Sequence, residues 1–275
     1  MGQLSRSTRL QSCRRSARPN AMSILCYHEV DPAWRSVLAV SPDRFARHCA
    51  WLSRHRQVVS LQQAVTSLDD AGHRPRGLTA LTFDDGFAGL HEHALPILLR
   101  YQLPATVFLV AQTLTSGGRP VDWVDDPPVK PLQTLDRDQV LEMLAAGVSF
   151  GSHSYAHQDL TTLTDEECER DLRRSRDVLE DLLGQPVRLL AYPRGRHNER
   201  VRAAAARAGF SHAFALPEAP EPAGPYALPR AGVWSNDGLL ALRAKTSDWY
   251  VSIRTGPVFP IIRTAARIAG RRTSS

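Results

Sequence analysis

The 275-residue sequence has no apolar run approaching the ~18 residues that a membrane-spanning helix needs, so a transmembrane protein is excluded. Its four cysteines, Cys13, Cys26, Cys49 and Cys168, form no C-x-x-C pair. In a chain this long that argues against a disulfide framework and a thiolate metal site, and the thiols read as buried or idle. Lysine is nearly absent: among 34 basic residues only Lys130 and Lys245 are lysine, a mark of genomic composition rather than chemistry. No internal repeat is visible, and the 19 prolines and 17 glycines follow no period, which excludes a collagen-like or low-complexity chain. With 43% apolar and 23% charged residues, gross disorder is excluded as well.

The net charge of +6 is unevenly placed. Residues 1–21 carry five arginines and no acid, and residues 241–275 carry six arginines and Lys245 against Asp248 alone. The segment between is net acidic. A nucleic-acid binder would carry its basic stripe on the folded body, so nucleic acid is not expected as a partner. No apolar core follows the basic start, so no secretory signal is read there. A basic arm (1–21), a catalytic body (22–240) and a basic tail (241–275) are expected. Within the tail, Ile261, Ile262, Ala265 and Ile268 would share one face of a short basic helix suited to an anionic membrane surface. The expected location is the cytoplasm, with peripheral contact at the inner membrane face through that tail. A solvated tail is the plainer reading.

Strands and helices alternate from Ser23 onward. Ser23–Tyr27 reads as a strand, and Ser41-Pro42 opens a helix with Phe45, Cys49 and Leu52 as its apolar stripe. Strands are expected at 58–59, Leu78–Phe83, 105–110, 148–151, 187–192 and His212–Ala215. Helices are expected at 91–101, 136–146, Asp165–Leu183 and 199–208. Thr164 and Glu167 make a capping box, and Gly184 suits the C-terminal cap. Residues 111–133 read as a long loop, a kind that is often functional. This rhythm predicts an α/β protein, its parallel sheet either open or closed into a barrel. In both, chemistry gathers where the strands end.

Three motifs stand at such ends. Thr82-Phe83-Asp84-Asp85-Gly86 follows the strand at 78–83. Alone, Asp-Asp-Gly is a turn; beside a cation, one carboxylate ligates and the other accepts a proton. His153-Ser154-Tyr155-Ala156-His157 places two histidines four apart, on one face if the segment is a helical turn. Otherwise they are surface histidines. Ala191-Tyr192-Pro193-Arg194-Gly195 is either a Pro-Gly turn or a rigid loop presenting N–H groups to an oxyanion. Two histidines and one carboxylate bind a divalent ion with positions left open, and the extra carboxylate, Asp84, suits a general base. That describes metal-assisted hydrolysis of an amide or ester. The iron(II) facial triad uses the same ligand types, but its carboxylate lies two positions after the first histidine. Here the carboxylate lies far upstream and is paired, which favours hydrolysis.

In combination these motifs resemble the polysaccharide deacetylase family, carbohydrate esterase family 4, over about residues 22–235. The resemblance implies a distorted (β/α) barrel, here of seven strands. It implies Asp85, His153 and His157 as ligands of a divalent metal, usually zinc. It implies Asp84 as the base that activates metal-bound water against an N-acetyl carbonyl of a sugar polymer, oligosaccharide or glycolipid. The third motif departs from the Arg-Pro-Pro-Tyr-Gly of many members. Its missing arginine is replaced by Arg230 in the Tyr-Pro branch, and the Arg194 N–H takes the oxyanion role. No Leu-x-His motif supplies a general acid, for which His28 is the candidate substitute. A histidine lining the barrel mouth is the plainer reading of His28. Asp237, in Ser-Asn-Asp-Gly, reads as an exposed turn residue rather than a late-motif acid. Two other functions stay open: hydrolysis of a small non-sugar amide or ureide, and a catalytically inactive carbohydrate-binding member.

Overall fold

The structure, a computed structural model, describes residues 22–71, 77–217, 222 and 224–256. In chain order its elements are β1 (Ser23–Tyr27), β2 (Glu29–Val30), β3 (Ala39–Val40), α1 (Pro42–His55), β4 (Gln57–Val58), α2 (Leu61–Ala71) and β5 (Leu78–Phe83). A π-type turn at Leu90–Ala94 leads into α3 (Leu95–Tyr101). Then follow β6 (Ala105–Leu109), α4 (Arg137–Ala145), β7 (Ser149–Ser152), α5 (Asp165–Leu183), β8 (Leu189–Ala191), α6 (Glu199–Arg207) and β9 (His212–Ala215). Last come β10 (Leu228–Pro229), β11 (Ala231–Gly232), α7 (Leu239–Lys245) and α8 (Asp248–Arg254).

The main sheet is parallel and runs β10-β9-β8-β7-β6-β5-β1-β11, with β4 also paired to β5. Its two end strands are separated in the chain by Arg230 alone. The stretch 228–232 therefore pairs with β9 through Leu228↔Phe214 and with β1 through Leu25↔Ala231. This nearly closes the sheet into a barrel of seven positions, the expected distorted (β/α) barrel.

Side chains alternate along the strands, as a pleated sheet covered on both faces requires. Leu25, Tyr27, Leu81, Phe83, Val107 and Leu109 pack outward with Phe45, Cys49 and Leu52 of α1, Leu98 of α3 and Leu172 of α5. Ile24, Ala80, Phe108, Ala191 and Phe214 point inward and meet Leu61, Ala64 and Val65 of α2. Fully burying a ring such as Phe108 stabilises by about 1.5–3 kcal/mol. Gly151 makes room for that ring, since a Cβ there would lie 2.6 Å from it. With α2 against the strand starts, the mouth lies at the strand ends.

Local signals map closely. In α5, Thr164 and Glu167 form the capping box, and Gly184 takes the left-handed conformation (φ 64°). Ser41 sits at the N-cap of α1 but its hydroxyl makes no capping bond. That helix start relies on Pro42, whose fixed φ suits the first turn, and on Asp43 near the positive end of the dipole. Leu90, Ala94 and Leu98 are buried as an apolar stripe, and His91 points outward to Glu142 at 2.8 Å.

Two expectations need correction. The packed body does not stop at 240: Leu242 and Val251 are buried, and Lys245 donates to the Gly232 carbonyl at 2.8 Å. Asp237 is not an exposed turn residue; it is buried, pairs with Lys245 and accepts from the Trp234 N–H at 2.7 Å. A buried ammonium needs an anion, and Asp237 supplies it. Residues 1–21, Cys13 and the expected helix at 260–268 lie outside the described residues. Among those described, no helix is long and apolar enough to cross a membrane.

Candidate active site

At the end of β5 the chain turns through two consecutive left-handed residues, Asp85 (φ 69°) and Gly86 (φ 66°). Left-handed backbone is rare outside glycine, though aspartate tolerates it better than most. Adjacent side chains in a strand would face opposite ways; this turn sends Asp84 and Asp85 into one pocket. Gly86 has a second constraint, because a Cβ there would lie 2.7 Å from Leu109.

The two histidines reach the same point without a helix. Residues 153–157 form a loop with Ser154 (φ 67°) and His157 (φ 52°) in the left-handed region, which corrects the helical-turn expectation. The loop is pinned from α5: the buried Asp171 carboxylate accepts from the N–H groups of Tyr155 (2.8 Å) and Ala156 (3.2 Å). Tyr155 faces away from the site, buried under the Arg174 guanidinium.

Asp84 is 1% exposed and clasped by Arg230, with Nη1–H to Oδ1 and Nη2–H to Oδ2 both at 2.7 Å. Burial alone would push its carboxyl up. The Arg230 guanidinium, together with the neighbouring His153 and His28, outweighs that and holds it well below the usual carboxylate range. Arg230 stands where the stretch 228–232 crosses between β9 and β1, so barrel closure itself brings the guanidinium to Asp84. Arg194 sits in a turn with φ 56° and lines the cavity beside Leu216. His28, just past β1, is buried against Trp234 (ring centroids 5.6 Å apart), and its Nδ1 has no hydrogen-bond partner among the described residues.

The donor set fits a divalent cation. Nδ1 of His153 lies 2.8 Å from the Ala191 carbonyl, which can only accept, so Nδ1 carries the proton and Nε2 the lone pair. Burial pushes the His153 pKa down to about 4, and the nearby carboxylates offset only part of that, so the ring is neutral at pH 7. Its lone pair points at carboxylate oxygens, 3.7 Å from Asp85 Oδ1 and 3.9 Å from Asp84 Oδ2. His157 Nε2 lies 3.2 Å from the same Asp85 oxygen. One ligand atom from each of Asp85, His153 and His157 falls within 4.8 Å of the others, which suits an ion between them. A second constellation, Cys26, His28 and Asp84, is equally close but does not fit. Burial raises the Cys26 thiol, which keeps its proton and donates it to Asp84 Oδ2 at 3.3 Å, and Asp84 already has its cation.

These groups open onto a cavity of about 380 Å³, walled by Leu38, Trp123, Val124, Leu216 and Trp234. Trp123 and Trp234 are not evident as site residues in the sequence. The one available signal was the length of the 111–133 loop that carries Trp123. A lone cysteine in an apolar strand, such as Cys26, carries no motif.

Comparison with known proteins agrees with this picture. The family profile described as Polysaccharide deacetylase matches residues 71–213, just over half of the chain, which therefore belongs to that family. The chain is 27% identical over 219 residues to the poly-beta-1,6-N-acetyl-D-glucosamine N-deacetylase of Staphylococcus epidermidis, covering 74% of this chain and 71% of the relative. It is 25% identical over 197 residues to YxkH of Bacillus subtilis, covering 71% of this chain and 64% of YxkH, so it spans less than two thirds of that relative. Among solved structures, IcaB from Ammonifex degensii superposes with a TM-score of 0.68 at 25% identity, covering 82% of this chain and 97% of IcaB. The Streptococcus pyogenes deacetylase PplD superposes at 0.72 with 24% identity, covering 84% and 100%, and shares the fold.

Proposed function

We propose that the protein is a metal-dependent hydrolase that removes N-acetyl groups from an N-acetylated sugar polymer, oligosaccharide or glycolipid. The observation that carries this reading is the convergence of Asp85, His153 and His157 beside the Asp84–Arg230 pair at the floor of one cavity. The family match and the named activity of the staphylococcal relative support the sugar amide over a small ureide.

Asp85, His153 and His157 would hold the ion, with zinc suiting a two-imidazole, one-carboxylate set. When bound, it would polarise the acetamide carbonyl and lower the pKa of a water to about 7. Asp84 takes the proton of the attacking water at Oδ2, the oxygen facing His153. Arg230 keeps Asp84 ionised and orients it. The Arg194 N–H donates to the oxyanion as the carbonyl becomes tetrahedral. His28, close beside Asp84 on the cavity wall, would protonate the leaving amine; acetate and a free amine are the products.

Acetate release from N-acetylglucosamine oligomers, with and without chelator, tests this. The expected result is release that chelator abolishes and added Zn²⁺ restores, with cyclic ureides left intact. Release unaffected by chelator, or turnover of ureides alone, would overturn the reading.

The basic stretch at 260–268 supports a peripheral contact with an anionic membrane surface. Truncation after Gly256 should release the protein from anionic liposomes while leaving acetate release unchanged. Equal sedimentation of truncated and full chains would sink that contact.

A further inference from the structure

Trp123 touches two of the three candidate ligands at once. Its indole N–H donates to Asp85 Oδ1 at 2.9 Å, the oxygen that faces both imidazoles. Its ring stacks on His157, with centroids 4.9 Å apart and planes 25° from parallel. The residue is buried, 8% exposed, yet it belongs to no strand or helix. Its place is fixed by tethers at its own carbonyl and at Asp126. The Arg194 guanidinium donates to the Trp123 carbonyl at 2.8 Å. Three residues on, the Asp126 carbonyl accepts from the Trp34 indole at 3.0 Å, and its carboxylate accepts from the Ser36 hydroxyl at 2.9 Å.

We propose that Trp123 is a positioning residue for the metal-binding carboxylate, and that the Arg194 guanidinium holds it in place; this rests on the metal reading above. The physical need is specific. The terminal torsion of an aspartate is broad, so a carboxylate on a left-handed turn has no rotamer well to fix its plane. An indole N–H occupying one lone pair of Oδ1 fixes that plane and leaves the other lone pair toward the histidines. Indole is a donor only and cannot compete as a ligand. The stacked ring similarly restrains His157, whose Nδ1 has no hydrogen-bond partner among the described residues. Histidine ligands are ordinarily oriented through that second nitrogen; here the aromatic face does it. Arg194 thereby has a side-chain role besides the backbone role proposed above.

The test is Zn²⁺ affinity, measured on the full chain by competition with a chromophoric chelator. Outer-shell partners of metal ligands typically account for ~10–100-fold in affinity. Trp123→Phe keeps an aromatic ring and removes only the N–H, so Zn²⁺ should bind about 10-fold more weakly or worse, and the Co²⁺-loaded protein should show a shifted d–d absorption. Arg194→Met keeps the backbone N–H and should weaken Zn²⁺ severalfold, which covers the case of a Trp123→Phe chain that does not fold. Thermal unfolding of the ion-free proteins is measured alongside, so that affinity is compared only between folded chains; a merely structural role would lower the melting temperature without shifting the Co²⁺ spectrum of the folded, loaded protein. Wild-type affinity and an unshifted Co²⁺ spectrum in the folded variants would overturn this inference alone. Failure of the wild-type chain to bind Zn²⁺ would overturn the metal reading with it.

Discussion

Asp84→Asn is expected to keep the ion and lose acetate release by roughly 10²–10⁴-fold, the usual worth of a positioned general base. The ion should stay because Asp85, His153 and His157 are untouched. The substitution is close to isosteric but not electrically neutral. An amide has one acceptor oxygen and one NH₂, so one Arg230 N–H would face a donor, and a buried guanidinium would lose its counter-charge. Metal content and thermal unfolding are therefore measured beside turnover. Loaded, folded Asp84→Asn protein with wild-type turnover would remove Asp84 from the base role.

Arg230→Gln should have the largest effect on stability. It leaves a fully buried carboxylate without its partner, a change that costs about 3–5 kcal/mol in comparable buried pairs. In the wild type the Asp84 pKa is depressed by folding. Its contribution to stability is therefore fully present above the unfolded carboxylate pKa and is lost as pH falls through the folded one. Removing Arg230 takes away the main influence opposing burial, so the Asp84 carboxyl rises and the acid limb of the turnover profile moves to higher pH. Adding Asp84→Asn to Arg230→Gln should be less destabilising than the sum of the two, because no uncompensated charge remains. Additive losses in denaturant unfolding, together with an unmoved acid limb, would show that the pair is not coupled.

The two variants probe a feature that was only half visible in the chain. Asp84 and Asp85 stand in a motif at a strand end, and so do His153, His157 and Arg194. All are local signals, because a strand followed by a turn with left-handed positions is encoded within a few residues. The same holds for the α5 capping box and the alternating apolar positions of β5 and β6. Arg230 lies 146 residues from Asp84 and was found by resemblance, not by pattern. The helical pairing expected for His153 and His157 failed because i, i+4 spacing says nothing of the backbone between, and here Asp171 of α5 holds that backbone in a loop.

By itself, then, the chain determined its α/β rhythm, its strand ends and the residue types gathered there, since backbone preference and hydrophobic period act over short range. Tertiary structure alone decided which of those ends share a cavity. It set Arg230 against Asp84 by closing the sheet between β9 and β1, buried Asp237 against Lys245, and laid Trp123 on Asp85 and His157. Those pairings arise from chain closure and desolvation, across 146 residues for Arg230 and Asp84 and 38 for Trp123 and Asp85, and no local propensity records them.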